Sequence, residues 1–327
     1  MFKNPKILII RLSSIGDIFH TMTVLNDIKQ YYPSAQIDWL VDQSFVEVAQ
    51  LSPLINKVIA IPLRAWKKSK LTWFIKLWNF KRNLAKIDYD YIIDSQGLLK
   101  SAFLSRFLFQ GKVYGLDFKS AREGLASCFY HCRYSVAQND VAVPRLRGLV
   151  QQIFDLKIAN LREFELEIRR ENCQINYPDG YIVFLHGTSK QNKKWSLANW
   201  HQLSLWLLEN TKQQIIITYS NASELDFAQQ LINHVANSRI ILIDKLSFVK
   251  LSDLIQGADL VIGVDTGFTH LANLTKRPTI AIYLHSRPDY VGMLESEIAY
   301  NLGGYNCQVS PELVIECIQK NNLFTTL

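Results

Sequence analysis

The chain has 327 residues, 48% of them hydrophobic and 20% charged, enough for roughly two domains that each bury a core, and no low-complexity or single-charge block marks a disordered tail. It opens without the longer apolar stretch and cleavage site of a secretory signal, and no apolar run approaches the ~20 residues of a membrane-crossing helix, so a soluble cytoplasmic protein is expected. The net charge of +7 points to an anionic partner, whether phosphorylated substrate, lipid surface or nucleic acid.

Five cysteines, Cys128, Cys132, Cys173, Cys307 and Cys317, form neither a CxxC pair nor a His-supported cluster. Reduced thiols and no metal site are expected.

Taken in order, the aliphatic run 7–10 reads as a parallel strand buried on both faces, and the following turn, Arg11 to Asp17, leads into a helix over 18–31. The Asp17 carboxylate thereby lies at a sheet's C-terminal edge, where open α/β sheets bind ligands. An Asp that opens a helix also serves as a cap or a favourable first-turn charge, and on this stretch alone the cap is the simpler reading. Strand-like runs at 36–41 and 57–61 flank a weaker helix at 45–51, which calls for a parallel sheet with right-handed crossovers.

From 64 to 82 the texture changes. Arg-Ala-Trp-Lys-Lys-Ser-Lys is followed by Trp73, Phe74, Trp78, Phe80, Lys81 and Arg82. Such interleaving fits a solvated face, or a surface that meets an anionic, partly apolar ligand or a membrane interface. A strand at 89–93 ends in the polar turn Asp94, Ser95, Gln96, Gly97, and a helix (100–109), a strand (112–115) and a helix (121–130) follow. Asp88-Tyr89-Asp90 precedes its strand and reads as solvent-facing rather than metal-binding. A helix begins near Pro144 and reaches Asp155, and the weak pattern over 157–180 reads as a linker plus an edge strand.

A second α/β series then starts with a strand at 181–185, followed by His186, Gly187, Thr188 and Ser189 and by Lys190, Lys193, Lys194 and Trp195. Ser196 caps a helix to Asn210. Strands are expected at 214–218, 240–242, 260–264 and 279–283, the last clear one, with helices over 220–235, over 249–255 and after Asp265-Thr266-Gly267. Ser310, Pro311 and Glu312 open a final helix through a cap, a proline and an acidic first turn. The expected domains are 1–165 and 166–309, two Rossmann-like α/β domains facing across a cleft, with 310–327 packing back towards the first.

The strand-end loops of the second domain carry hydroxyls, a glycine, an ammonium and a helix N-terminus, the groups a pyrophosphate needs. A single charge at an exposed helix end contributes only about 0.3–1 kcal/mol, so several donors must converge. Each feature also has a plainer reading: Asp-Thr-Gly as a capped helix start, His270 as a histidine bonded to a backbone carbonyl, Lys193 and Lys194 as solvated charges. Neither G-x-G-x-x-G nor G-x-x-x-x-G-K-[ST] is present, which counts against a nicotinamide-dependent oxidoreductase. A non-catalytic binder of anionic lipid or nucleic acid stays open on the charge and the aromatic-basic stretch.

Ser13-Ser14-Ile15-Gly16-Asp17, Asp94-Ser95-Gln96-Gly97-Leu98 with Lys100-Ser101, Ser120-Ala121-Arg122-Glu123, Lys193-Lys194-Trp195 and Val264-Asp265-Thr266-Gly267-Phe268-Thr269-His270-Leu271 occur in order over nearly the whole chain. In this the sequence resembles the lipopolysaccharide heptosyltransferases. The resemblance implies a GT-B fold and inverting, metal-independent transfer without a cofactor, from ADP-L-glycero-D-manno-heptose to a Kdo residue of Kdo-lipid A, at the cytoplasmic face of the inner membrane. It implies that Asp17 is the general base, that Thr188, Ser189 and Lys193 hold the pyrophosphate, that Glu224 holds the ribose, and that Asp265, Thr266, Gly267 and His270 meet the phosphates and heptose. On the acceptor side, whether Kdo2 or phospho-Kdo, it places Ser14, Gly16 and Gln96 with the cations Arg64, Lys67, Lys68, Lys100 and Arg122; nucleic acid is not an expected partner. The sequence departs from the family after Tyr283, where Leu284-His285-Ser286-Arg287-Pro288-Asp289 replaces the common Gly-Pro-Thr.

Overall fold

A computed structural model describes residues 4–66, 72–84, 87–164, 166–170, 180–188 and 190–323. The chain divides into two compact units, Met1–Arg169 and Arg170–Leu327. In the first, strands β1 (Lys6–Ile10), β2 (Gln36–Asp42), β3 (Lys57–Ile61), β4 (Asp88–Asp94), β5 (Gln110–Leu116) and β6 (Cys132–Tyr134) form one parallel sheet in the order β3-β2-β1-β4-β5-β6. Its helices are α1 (Ile15–Tyr31), α2 (Val46–Ala49), α3 (Leu63–Trp66), α4 (Trp73–Asn83), α5 (Leu99–Leu108) and α6 (Ala142–Phe154).

The second unit repeats the plan. Strands β7 (Tyr181–Leu185), β8 (Gln214–Ile217), β9 (Ile240–Leu242), β10 (Leu260–Val264), β11 (Thr279–Tyr283) and β12 (Ala299–Gly303) run parallel in the order β12-β11-β10-β7-β8-β9. They alternate with α7 (Leu197–Asn210), α8 (Ala222–Val235), α9 (Phe248–Gly257), α10 (Gly267–Leu274), α11 (Pro288–Val291) and α12 (Pro311–Lys320). Counted from its own first strand, each sheet has the order 3-2-1-4-5-6, in which connections turn to opposite sides at the central pair and open a crevice beyond the strands' carboxyl ends. That pair is β1 and β4 in the first unit, and β7 and β10 in the second.

The aliphatic runs explain this placement. Ile7 to Ile10 of β1 and Leu260 to Val264 of β10 are buried, as central strands covered by helices on both faces must be. Away from the strands, α1 is tied to α6 by a bidentate buried pair: Arg147 Nε and Nη2 reach the Asp27 carboxylate at 2.7 and 2.8 Å, and Arg147 Nη1 donates to the carbonyls of Asn160 and Leu161. Each end of the guanidinium is thereby satisfied, which offsets its desolvation.

Several elements differ from the sequence expectation. The expected helix at 121–130 is a 3-10 turn over Gly124–Phe129, opened by a glycine packed so closely on Phe118 that a Cβ would stand 2.8 Å from the Phe118 carbonyl oxygen. The short edge strands β6 (Cys-Arg-Tyr) and β12 (Ala-Tyr-Asn-Leu-Gly) were not expected, since polar residues interrupt any apolar run in both. Among the described residues of 157–180 there is no strand. Helix α12 lays Val314, Cys317 and Ile318 into the core of the second unit, against α7.

Candidate active site

The first cluster stands where β1 turns into α1. Ser14 occupies the N-cap and Asp17 the third helical position, so that Asp17 Oδ2 accepts hydrogen bonds from Ser14 N and Ser14 Oγ, both at 3.0 Å. Its other oxygen, Oδ1, faces Arg11 Nη2 at 2.7 Å. The carboxylate therefore caps the helix, as the simpler reading required, and is also gripped by a guanidinium. Burial pushes its pKa up, but the Arg11 charge, the Ser14 bonds and His20 outweigh that and hold it at about 2. Such a group is ionised throughout the neutral range and fixed in direction; 30% of its side chain remains exposed.

The β4 loop closes round the same edge. Ser95 N donates to Ile10 O at 3.2 Å, the Gln96 amide oxygen accepts from Leu12 N at 2.9 Å, and Arg11 Nη1 donates to the Ser95 carbonyl. Gln96 is thus committed through its oxygen to bracing the Asp17 loop. Beneath it, Asp94 accepts from Tyr130 Oη at 2.8 Å and Gln96 N at 2.9 Å; burial pushes its carboxyl up against those bonds, and its role is to shape the turn. Gly97, at φ +65°, lies so close to the Arg122 backbone that a Cβ would stand 3.3 Å from Arg122 N. Glu123 Oε2 accepts from Leu99 N at 2.6 Å, which joins the Arg122 loop to the start of α5, where Lys100 is exposed.

Arg64 lies in α3 with its guanidinium over the Phe45 ring, 4.5 Å from the centroid, and its Nε 4.0 Å from Asp42. Gly16 is buried in the first turn of α1. Lys67 and Lys68 lie outside the described residues, as does Ser189 on the donor side.

The second cluster centres on Asp265, just beyond β10. Its Oδ2 is bonded by Lys193 and by Ser286 Oγ, His270 Nε2 stands 3.9 Å from its Oδ1, and its backbone carbonyl accepts from Thr188 Oγ1 at 3.2 Å. Loops after three adjacent strands, β7, β10 and β11, thus meet at one carboxylate. Burial pushes the Asp265 carboxyl up, yet the bonds from His270, Lys193 and Ser286 and the Lys193 charge hold it well below the usual range. Lys193 is set in place by its neighbour but one: the buried Trp195 ring packs edge-on to Trp200 and its Nε1 donates to Val309 O at 2.7 Å. Thr266 is the N-cap of α10 and Gly267 its first residue, so the opening N–H groups have no carbonyl within the helix.

Glu224 sits at the start of α8, where its Oε2 accepts from Ser220 N at 2.8 Å and Ser220 Oγ at 2.7 Å. Its carboxyl fits only because residue 187 is glycine: a Cβ there would lie 2.6 Å from both Glu224 Cδ and Oε1. The β7 loop and α8 are interlocked at this point, since His186 also stacks on Phe227 and its Nε2 lies 3.1 Å from Glu224 O. Two residues of these clusters escape sequence reasoning, Arg11 and Ser286. The signal for Arg11 is a cation directly after a buried aliphatic run; for Ser286, a hydroxyl three residues past the end of β11. Among the described residues no group of three or more His, Cys, Asp and Glu is placed to hold a metal ion, and no helix is long and apolar enough to cross a membrane.

Chemically, the first cluster offers an oriented carboxylate and the second an ammonium, hydroxyls and a helix N-terminus suited to a diphosphate. A family model for glycosyltransferase family 9 (heptosyltransferase) matches residues 77–322. The lipopolysaccharide heptosyltransferase 1 of Pseudomonas aeruginosa is 33% identical over 297 residues, which cover 88% of this chain and 81% of that one. Among solved structures, the E. coli heptosyltransferase WaaC with ADP is similar at a TM-score of 0.84 and 28% identity, over 97% of this chain and 99% of that one. The same heptosyltransferase with ADP-2-deoxy-2-fluoro heptose gives a TM-score of 0.83 at the same identity and coverage.

Proposed function

The chain belongs to glycosyltransferase family 9, the heptosyltransferases, and on that premise we propose how its residues carry the reaction. It is a glycosyltransferase of lipopolysaccharide inner-core synthesis with the two-sheet α/β architecture, GT-B, of its relatives. The donor is ADP-heptose, a reading supported by the heptosyltransferase solved with ADP and with a fluorinated ADP-heptose. The acceptor is a Kdo residue of Kdo-lipid A, which makes this the first heptose transfer, that of heptosyltransferase I. The carboxy-terminal unit takes the donor and the amino-terminal unit the acceptor. Because that acceptor is anchored in lipid, the enzyme works in peripheral contact with the cytoplasmic face of the inner membrane. The charge-based alternative, a non-catalytic binder of anionic lipid or nucleic acid, has no support among the relatives.

In the transfer, the acceptor hydroxyl oxygen bonds to the anomeric carbon as that carbon's bond to the diphosphate oxygen breaks. The bonding electrons leave with ADP, the hydroxyl proton passes to Asp17, and attack from the side opposite the leaving group inverts the centre. Asp17, at about pKa 2, is a weak base in the free enzyme, so it takes the proton late, when the forming glycosidic bond has made the hydroxyl acidic. The charge that grows on ADP is met by Lys193, by the N–H groups at the start of α10 and by the Thr188 hydroxyl, without a metal ion. Asp265 holds Lys193, Ser286 and His270 at that spot, and Glu224 meets the adenosine ribose.

The observation that carries this reading is the convergence of Lys193, Ser286, His270 and Thr188 on Asp265 at the ends of three adjacent strands. To test it, ADP-heptose is offered with Kdo2-lipid A and with phospho-Kdo-lipid A, and the products are weighed by mass spectrometry. Addition of one heptose to either is expected; addition to neither would refute the acceptor assignment. Asp17→Asn should retain ADP binding and lose about 10²–10⁴ in kcat, the usual contribution of a general base; near-normal turnover would remove Asp17 from that role.

A further inference from the structure

Helix α4 is apolar on two faces. One is core: Leu77 is fully buried, Trp73 and Phe80 pack against the same cluster, and their rings meet Phe103 and Trp66. The other face looks outward, with Phe74 70%, Ile75 62% and Trp78 55% exposed. At 100° per residue, Phe74, Ile75 and Trp78 share one sector of about 120° with Lys81 and Arg82, both exposed, a turn further on. A helix on a globular surface ordinarily turns polar groups outward. This one presents large rings edged by cations.

The surrounding chain adds to the asymmetry. Between Glu47 and Asp88 there is no acidic residue, while nine lysines and arginines fall in that interval. Lys81 lies with its ammonium 4.4 Å from the Phe107 ring centroid, which keeps its stem at the end of the exposed apolar strip. Trp and Phe flanked by Lys and Arg are the side chains that sit at a bilayer's interface, and cations without acids complement anionic headgroups.

We propose that the outward face of α4 seats in the interfacial region of an anionic phospholipid bilayer. Phe74, Ile75 and Trp78 enter between headgroups, and Lys81 and Arg82 meet lipid phosphates. This rests on the reading that the acceptor is lipid-anchored and names the surface that makes the peripheral contact. None of Phe74, Ile75, Trp78, Lys81 and Arg82 takes part in the hydrogen bonds and ion pairs of the Asp17 cluster, so the contact governs access to lipid-borne acceptor and leaves the chemistry alone.

The test is flotation of the full chain with vesicles of phosphatidylglycerol mixed with phosphatidylcholine, and with phosphatidylcholine alone. The wild type should float with the mixed vesicles, lose binding as salt rises, and float poorly with phosphatidylcholine alone. A Phe74→Ser/Ile75→Ser/Trp78→Ser variant and a Lys81→Glu/Arg82→Glu variant should each lose about tenfold or more in vesicle partition. Both should transfer heptose to a soluble, deacylated Kdo acceptor at about the wild-type kcat/KM, which shows that they fold. Wild-type binding that is absent, or equal on both vesicles, overturns the proposal, as do variants that bind like the wild type. So does a triple variant that turns a wild-type dimer into a monomer in sedimentation with vesicle binding unchanged, since the strip would then join two copies of the chain. Failure of the wild type to act on the soluble acceptor would instead count against the transferase reading, whatever the vesicles show.

Discussion

Arg11→Gln isolates what the guanidinium does for the base. Asp17 sits at about 2 against an ordinary value of 3.8, a difference of about 2 kcal/mol in favour of the ionised form. Burial works in the opposite direction, so Arg11, Ser14 and His20 together supply more than that figure, and the Arg11 charge, at 2.7 Å, is the largest single contribution among them. Without it the carboxyl should rise, since its burial remains. The assay is ADP release as a function of pH, with kcat/KM reporting the free enzyme. In the wild type Asp17 should impose no acid limb above about pH 4; in Arg11→Gln the limb should move to higher pH. Built on Asp17→Asn, the same change should cost almost nothing further, because Arg11 acts through Asp17. The reasoning fails if the acid limb stays where it is, or if Arg11→Gln costs as much with residue 17 neutral as with it charged.

Three further outcomes follow from the geometry. Gly187→Ala drives a Cβ towards the Glu224 carboxyl and should weaken ADP binding about tenfold by calorimetry while the protein stays folded, an overpacking cost of about 1–3 kcal/mol; unchanged affinity would remove Glu224 from the donor site. Ser286→Ala deletes one hydroxyl bond to Asp265 and should raise the donor KM by about two- to tenfold, the effect of about 0.5–1.5 kcal/mol, with kcat little changed. Acid should destabilise the fold through Asp17 and Asp265, whose native pKa values both lie below the unfolded 3.8. As pH falls the unfolded chain takes up these protons first, so the stabilisation is complete above 3.8 and is lost as pH drops through the native values. Denaturant midpoints for Asp265→Asn should therefore fall less between pH 5 and pH 3 than those of the wild type.

The two parallel sheets were legible because their central strands are unbroken aliphatic runs and the loops after them change abruptly to small polar residues. Asp17 was visible as a carboxylate at such a join, but its partner was not. Arg11 reaches it only through the path of the Ser13-Ser14 turn, and no periodic pattern encodes a contact between a strand end and a helix start six residues later. Ser286 was obscured for a similar reason, since it meets Asp265 across neighbouring strands and lies in the loop that departs from the family. Helix α4 shows how a second apolar face blurs the amphipathic signal: Phe74, Ile75 and Trp78 fill the positions that polar residues would have marked as outward. For α12 the cap, proline and acidic first turn at Ser310, Pro311 and Glu312 marked where the helix starts, while such local signals carry no address, and its packing of Val314, Cys317 and Ile318 into the core of the second unit is visible only in the structure.

The pairing of Asp17 with Arg11 also alters how an anionic acceptor experiences the base. A bare carboxylate about 6 Å from another would repel it by about 2.8 kcal/mol at an effective dielectric constant of about 20, a hundredfold penalty in affinity. With the guanidinium 2.7 Å away the pair is formally neutral, so the anionic acceptor proposed above would approach Asp17 without meeting a like charge. Under that proposal, discrimination between acceptors of different charge would fall to the exposed cations Arg64, Lys100 and Arg122, and substitutions there would change charge preference without retuning Asp17.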